Sequence, residues 1–414
     1  MQNVVFDEPY EFVPPYRGRF WSWLIGRFLP YLLRSRYGIV SWKTHGIERL
    51  QECLKNDDGI IVCPNHSSIS DPMMCGVLTV EAPCHIHAMA SWHVFKQHWL
   101  ETWVSQKAGA FSVYREGMDR KALDTAVEIV SGAERPLIIF PEGVISAAND
   151  RLLSLMDGTA FIARRAAKMR AKSHPDSRVV LLPMVYRYEH QEPAEKNLTP
   201  IIDRLEKQFF WQAPDGCDLL SRVDRLRAAI QSAREVQFDG KTSTGDVESR
   251  MQALIERILN THETEWLGGP RSGDVIGRVK DLRTEILSDM TSGEAMGDAE
   301  RARRWRHLAD VYYCQCMSLH VPGYLDPARA GDRLNHRLYE TVARIEEELT
   351  DTHAVFQDLH VDVHIGEPIE VDPKAGRSRG DDPMMAELRS RMVALLGIDD
   401  CWVPNPVQSL NNQA

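Results

Sequence analysis

Short apolar runs alternate with helical stretches between residues 57 and 190. Each run is continuously apolar, which is typical of strands in a parallel sheet that is covered on both faces. We therefore predict an α/β fold, with a largely parallel mixed sheet flanked by helices, for residues 57–190. The predicted strands are residues 59–63, 85–90, 110–114, 136–140 and 179–186.

A different period governs residues 191–355. Apolar side chains recur every three or four positions and the positions between them are charged, as in helices that pack together. We predict an all-helical segment, whose sequence indicates no function. Its apolar stripes are Leu219, Val223, Leu226 and Ile230; Val247, Met251, Leu254 and Ile258; Val275, Val279, Leu282 and Ile286; and Leu334, Leu338, Val342, Ile345 and Leu349.

Strict alternation at residues 359–371 predicts one more strand, followed by a helix. The simplest topology adds this strand to the first sheet. The helical segment is then a long insertion before the last strand, and residues 356–414 return to the domain formed by residues 57–190. An independent C-terminal α+β unit is the alternative, but it would have too few strands to close a core.

The N-terminal residues 1–56 include a stretch without acidic residues, 12–47, that carries six cations. Apolar residues recur at helical spacing over residues 20–28, and Pro30 is expected to end this helix. Arginine beside tryptophan and phenylalanine suits the headgroup boundary of a bilayer, so we predict membrane association through residues 16–36. A terminal helix packed on its own domain is the alternative.

The composition changes this picture little. The 414 residues are 43% hydrophobic and 26% charged, as in ordinary globular proteins. A net charge of −10 argues against nucleic acid as a partner, because phosphate binding needs a basic surface. No apolar stretch predicts a membrane-spanning helix and the acidic start is unlike a signal peptide, so we expect a cytoplasmic protein. The eight cysteines are irregularly spaced, which favours reduced thiols.

Candidate chemistry begins directly after the first predicted strand, at Asn65, His66 and Asp71. Ligands of open α/β sheets bind beyond the carboxyl ends of the strands. A histidine there, with a carboxylate five residues on, can form a general base and the acid that orients it. A surface histidine beside a helix-capping aspartate explains the same spacing, and Asn65 is equally explained as a turn residue.

Later strand ends add further candidates. Arg115 follows the third predicted strand, and its planar guanidinium suits a phosphate or a carboxylate. Glu142 and Gly143 follow the fourth, on the same predicted edge of the sheet. Pro183 interrupts the fifth run, which indicates an edge or a bulge.

These blocks, in this order, resemble the glycerolipid acyltransferases of the lysophosphatidate (1-acylglycerol-3-phosphate) acyltransferase family. The matching segments are NHSSISD for the NHxxxxD block, GAFSVYR for the arginine block, FPEG for the third block and VVLLPMV for the proline-bearing strand. VHIGEPIEV is similar to the strand that closes the family's catalytic domain. The resemblance covers residues 57–190 and about 355–400, and it supports the insertion topology.

The resemblance implies transfer of a fatty acyl group from acyl-CoA or acyl carrier protein to the hydroxyl of a lysophospholipid such as 1-acylglycerol-3-phosphate. His66 would remove the hydroxyl proton while Asp71 holds its tautomer. No cofactor is implied beyond the thioester co-substrate. The implied substrate-binding residues are Arg115 for the acceptor's phosphate, Glu142 and Gly143 for the shape of the acceptor site, and Asn65 for the order of the loop.

Two positions depart from the family's pattern. Ile145 stands where the third block usually continues with a cation, and Ser91 where the family often has a lysine. Arg151 follows closely and is a candidate substitute in substrate binding. A solvated helix face is the favoured interpretation of the next cations, which are Arg164, Arg165 and Lys168. The two losses leave open an acceptor lipid without a phosphate.

A metal site is not predicted. The histidines of residues 85–98 lack acidic or thiolate partners at ligand spacing, and acyl transfer needs no metal. Cys314 and Cys316 are the only close cysteine pair, and no second pair completes a zinc site.

The sequence thus predicts an O-acyltransferase, peripheral on the cytoplasmic face of a membrane. Its predicted partners are the thioester donor, the lysolipid acceptor and the membrane surface, and nucleic acid is not among them. The helical insertion is a candidate for binding a partner or a second copy of the chain. Two alternatives stay open: an acyltransferase for a phosphate-free lipid, and a non-catalytic scaffold that binds lipid at the membrane surface.

Overall fold

The structure, a computed structural model, describes residues 5–96, 98–211, 216–291, 296–376 and 382–398. The described chain forms two compact units. The α/β unit comprises Tyr10–Glu189 and residues 357–398, and the helical unit comprises residues 5–9 and His190–Phe356. The helical unit is therefore a long insertion in the chain of the α/β unit, as predicted.

The strands are β1 (Ile39–His45), β2 (Gly59–Pro64), β3 (His87–Ser91), β4 (Ala110–Val113), β5 (Leu137–Ile138), β6 (Val179–His190), β7 (Leu359–Ile365) and β8 (Ile369–Glu370). Within the described residues they form one sheet of eight strands, in the order β1-β7-β6-β2-β5-β3-β4, with β8 antiparallel to β6. The pairs β1–β7, β2–β6, β2–β5, β3–β5 and β3–β4 are parallel. The prediction of a largely parallel mixed sheet is confirmed.

The helices are α1 (Phe20–Tyr37), α2 (Ile47–Lys55), α3 (Asp71–Met74), α4 (Val77–Glu81), α5 (Trp99–Ala108), α6 (Arg120–Ser131), α7 (Gly158–Ser173), α8 (Ala194–Gln208), α9 (Leu219–Asp239), α10 (Val247–Leu267), α11 (Val275–Ser288), α12 (Asp298–Ser318), α13 (Pro327–Ala330), α14 (Leu334–Thr350) and α15 (Pro383–Leu396). Of these, α8 to α14 belong to the helical unit. No helix of the described residues combines the length and the apolar character needed to cross a bilayer.

The central strand β2 shows why its sequence is continuously apolar. Ile61 and Cys63 lie in the core beneath α6, α7 and α15, whereas Ile60 and Val62 lie in the core beneath α1 to α4. Successive side chains of a strand point to opposite faces, so a strand that is covered twice needs apolar residues at every position. This burial holds the carboxyl end of β2, where the candidate chemistry begins.

The last strand returns to the sheet of the α/β unit. β7 pairs in parallel with β1, with Val361 opposite Trp42, and it lies beside β6. This position confirms the insertion topology over the independent C-terminal unit. The sequence interpretation missed β1 and α2, because β1 alternates polar residues such as Lys43 with apolar ones and has no continuous apolar run.

The prediction that Pro30 ends the first helix is wrong, because α1 continues through Pro30 to Tyr37. Proline removes one backbone hydrogen bond. Leu29 and Leu33 are fully buried in the α/β core on either side of it, and their burial, about 1.5–3 kcal/mol each, offsets that loss. The helix packs by this face, whereas Phe20 and Phe28 of the predicted stripe are exposed.

The helical unit contains two apolar cores. One joins α10, α11 and α12, and the other joins α8, α9 and α14. The predicted stripes supply much of both cores, including Leu226, Leu254, Val279 and Val342, which are all fully buried. Helix α12 was not predicted, since charged residues dominate its first half.

Candidate active site

Asn65 connects the end of β2 to β6. Its Nδ2 donates to the carbonyl of Tyr186 at 3.2 Å, and its Oδ1 accepts from the backbone N–H of Tyr186 at 2.7 Å. The side-chain amide therefore occupies the place of a strand residue, and it is completely buried. This contact fixes the point at which the following loop leaves the sheet.

The loop brings His66 and Asp71 together. His66 Nδ1 lies 2.9 Å from Asp71 Oδ2, which also accepts from the backbone N–H of Ser68 at 2.8 Å. The other oxygen of Asp71 accepts from the hydroxyl of Tyr188 at 2.5 Å. Asp71 is fully buried, whereas 14% of the His66 side chain is exposed. Because a carboxylate only accepts, Nδ1 carries the proton and Nε2 presents a lone pair, as a general base requires.

Three further contacts hold His66 in place. Its ring stacks on Phe140, with centroids 4.2 Å apart. Its backbone N–H donates to Glu142 at 2.6 Å, and its carbonyl accepts from the N–H of Ser146 at 2.7 Å. Phe140 and Glu142 come from the segment after β5, so two neighbouring strand ends support one imidazole. Side chains whose orientation is fixed in this way are typical of catalytic groups.

Glu142 is almost completely buried, at 1% exposure. Its second oxygen accepts from the backbone N–H of Leu153 at 2.8 Å. Burial raises the pKa of the Glu142 carboxyl to about 7, although the N–H groups of Leu153 and His66 oppose the shift. Through these two hydrogen bonds Glu142 links the loop of His66 to the segment of Leu153.

Gly143 and Arg115 lie next to each other. Gly143 has a φ of +71°, and a Cβ at this position would come within 2.4 Å of Met156 Sδ and 3.6 Å of Arg115 Nη2. A side chain here would thus be strained and would collide with Met156. The structure therefore brings the guanidinium that follows β4 close to the turn that follows β5.

Arg151 lies in the same region and is buried, at 8% exposure. It is close enough to Glu142 to oppose the rise in the pKa of that carboxyl. The nearby Asn149 exchanges two hydrogen bonds with the backbone of Tyr188, at 2.8 and 2.9 Å. Asn65 does the same with Tyr186, two residues earlier in β6. Two side-chain amides thus tie two loops to β6.

Residues 41–187 match the family model described as Acyltransferase. This part of the chain belongs to the acyltransferase family. The family is that of the glycerolipid and lysophosphatidate acyltransferases, so the protein is an O-acyltransferase. A search of curated proteins found no match to the chain.

The acyltransferase domain contains residues that the sequence reasoning missed. Tyr188 contacts Asp71, Asn149 ties its loop to β6, and Phe140 supports the imidazole of His66. The alternating polar end of β6 and the phenylalanine of FPEG were visible in the sequence. Their contacts were not, because each joins segments that are far apart along the chain.

Other residues singled out in the sequence have structural contacts. Arg164 binds Asp382 and is mostly buried, which differs from the solvated face that was favoured, whereas Arg165 pairs with Asp124 at the surface. In the segment 85–98, His87 Nδ1 lies 2.9 Å from the carbonyl of Gly109. The cysteines of the described residues are free thiols: Cys53, Cys63, Cys75, Cys84, Cys217, Cys314 and Cys316.

Proposed function

We propose that the acyltransferase domain transfers a fatty acyl group from acyl-CoA or acyl carrier protein to the hydroxyl of a lysophospholipid such as 1-acylglycerol-3-phosphate. His66 is the general base and Asp71 orients it. The observation that carries this proposal is the 2.9 Å contact between the partly exposed imidazole and a buried carboxylate that has two further donors.

The reaction needs no nucleophilic side chain. Nε2 of His66 takes the proton of the acceptor hydroxyl, and the oxygen attacks the thioester carbonyl. The tetrahedral intermediate collapses by expelling the thiolate, which takes the proton back from the imidazolium. Asp71 stabilises the imidazolium and keeps its Nδ1–H directed inward. Backbone N–H groups near the site are the candidate donors to the intermediate's oxyanion.

Arg115 is the proposed ligand of the acceptor's phosphate. A guanidinium binds a phosphate with two parallel hydrogen bonds, and its position beside Gly143 leaves it close to the loop that supports His66. Gly143 gives this turn its shape. Arg151 is the proposed second cation and compensates for Ile145, which replaces the cation that the family usually has there.

We also propose that the protein rests on the cytoplasmic face of a membrane through residues 16–36. Support comes from the aromatic face of α1, where Phe20, Trp23, Phe28 and Tyr31 are more than half exposed. Exposed arginines flank this face, as suits anionic headgroups. A lipid acceptor and product give the enzyme a reason to stay at that surface.

The test of catalysis is to assay purified His66→Ala and Asp71→Asn with labelled acyl thioesters and a panel of lysolipids. Loss of the base lowers kcat by about 10²- to 10⁴-fold, and Asp71→Asn has a comparable effect because the wrong tautomer is held. Arg165→Ala, on the surface of α7, is the control. Normal turnover by His66→Ala would disprove the assignment of the base.

The same panel decides the acceptor. The proposal expects phosphate-bearing lysolipids to react best and Arg115→Ala to affect only these. If only phosphate-free lipids react, the alternative acceptor class is correct and the phosphate role of Arg115 is wrong.

The membrane proposal is tested by liposome flotation. Trp23→Ser with Phe28→Ser should reduce flotation with anionic vesicles. These exposed residues are better targets than a deletion, which would also remove Leu29 and Leu33 from the core. Phe161→Ser, an exposed aromatic on α7, is the matched control. Unchanged flotation in the double variant would place the bilayer contact elsewhere.

A further inference from the structure

A second cluster of titratable side chains lies in the helical unit, between α10 and α12. Each helix carries a histidine with a carboxylate three residues later: His262 with Glu265, and His307 with Asp310. Residues three apart lie on one face of a helix. The two imidazole rings have centroids 4.5 Å apart.

One nitrogen of His262 has no partner. The side chain is only 8% exposed, and its Nε2 lies 3.1 Å from Asp310 Oδ2. Its Nδ1 is buried without a hydrogen bond. Since the carboxylate accepts, Nε2 carries the proton and Nδ1 presents a bare lone pair, which costs about 1–3 kcal/mol when buried. Metal-bound histidines have this arrangement, with the second ring N–H donated to a carboxylate.

Two more ligand groups lie close to the His262 side chain. One ligand atom each from His262, Glu265 and His307 lie within 4.8 Å of one another. Ligands on one ion, with bonds of about 2.0–2.2 Å, are separated by about 4.4 Å at most, so small rotations bring all three to one ion.

We propose that this cluster binds one divalent transition-metal ion, with Zn²⁺ as the best fit, through His262 Nδ1, His307 and Glu265. Two imidazoles and one carboxylate favour Zn²⁺ and its neighbours over Mg²⁺ and Ca²⁺. Asp310 orients His262. The ion joins α10 to α12 and stabilises the helical unit, since it binds the folded form.

Two neighbours compete with the ion. Trp266 donates its indole N–H to His307 Nδ1 at 2.9 Å, and Arg303 forms an ion pair with Glu265. The ion has to displace both contacts. Removing either competing contact should therefore strengthen metal binding. If the cluster had only a structural role, the same substitutions would not raise its affinity for a metal ion.

A different histidine cluster provides the control. His45, Asp362 and His364 lie together on β1 and β7 in the α/β unit. The two rings are stacked in parallel at 4.5 Å, and Lys43 is the register partner of Asp362, so a cation already lies in that row. Unlike His262, neither His45 nor His364 has a buried ring nitrogen that lacks a hydrogen-bond partner in the described part of the chain.

The experiment strips the full-length protein with a chelator and titrates it with Co²⁺, followed by absorption, and with Zn²⁺, followed by calorimetry. One equivalent is expected, and Zn²⁺ should raise the Tm. His262→Gln and His307→Gln should each weaken binding about 10- to 100-fold, whereas His45→Gln should change nothing. Circular dichroism checks that each variant is folded.

Trp266→Phe should increase the metal affinity, a change that misfolding of the variant would not produce. It removes the competing N–H while it retains the aromatic packing, so affinity should rise about threefold to tenfold. Three results would each overturn the proposal. They are binding of less than one metal ion per wild-type protein, unchanged metal affinity in both His262→Gln and His307→Gln, and loss of the bound metal ion in His45→Gln.

Discussion

The hydroxyl of Tyr188 donates a 2.5 Å hydrogen bond to the carboxylate of Asp71, which in turn binds the imidazole of His66. Ser70 donates its own hydroxyl to the Tyr188 oxygen at 2.9 Å, so the phenol's proton is directed to Asp71. Burial, and then the charge of Asp71, raise the pKa of Tyr188 well above its ordinary value, which keeps the phenol protonated. Tyr188 is therefore a positioning residue for the proposed base.

Tyr188→Phe should lower kcat about 5- to 30-fold and leave KM nearly unchanged. The loss corresponds to one hydrogen bond to a charged group, about 1–2 kcal/mol of orientation that the transition state needs. Steady-state kinetics with a saturating thioester measures it. Tyr186→Phe is the matched control, because that buried phenol bonds to Cys75 and not to Asp71. Equal effects of both substitutions would reduce Tyr188 to a packing role.

Arg115→Lys should raise the KM for a phosphate-bearing acceptor about 10- to 100-fold. Lysine keeps the charge and loses the bidentate fork, and one charge-assisted hydrogen bond is worth about 1.5–3 kcal/mol. The kcat should change little, because His66 and Asp71 are untouched. Arg165→Lys serves as control. A KM that stays the same with phosphate-bearing lipids would contradict the role of Arg115.

Glu142→Gln should change how stability depends on pH. The unfolded carboxyl titrates near 4.5, whereas burial raises the pKa in the folded protein to about 7. The contribution of the protonated Glu142 to the free energy of unfolding is therefore fully present below pH 4.5. It is lost as the pH rises towards 7, by about 3 kcal/mol in total. Urea unfolding of both proteins at pH 4.5, 6 and 7.5 should show the wild type losing stability relative to the variant. Parallel pH dependences would show that the carboxyl is ionised throughout.

His190→Phe should protect the helical unit from acid. Burial, and then the charge of His336, lower the pKa of His190 to about 3, from 6.5. The neutral, buried His190 contributes fully to the free energy of unfolding above pH 6.5. This contribution is lost as the pH falls below 6.5, by about 1.4 kcal/mol per pH unit. Phenylalanine keeps the 3.8 Å stack on Tyr339 and cannot titrate. Hydrogen exchange in α8 and α14 at pH 7 and pH 5 measures the difference, and equal acid sensitivity would refute it.

The sequence alone determined the α/β class of the fold, the long helical insertion and the kinds of residue that follow the strands. Continuous apolar runs identified β2 and β6 because a strand covered on both faces has apolar residues at every position. The blocks around His66, Arg115 and Glu142 carried the family resemblance, and the family model found the same domain. Helical periodicity revealed the insertion, since a face that packs against other helices repeats every three or four residues.

Only the tertiary structure decided which distant residues meet. Tyr188 contacts Asp71 across more than a hundred residues, and the imidazoles of His262 and His307 meet across forty-five. It also decided that α1 passes Pro30, because the burial of Leu29 and Leu33 outweighs one backbone hydrogen bond. Local spacing records which face of a helix or strand is apolar, but the partner of a buried polar atom depends on how the elements pack in space, and no local pattern encodes that.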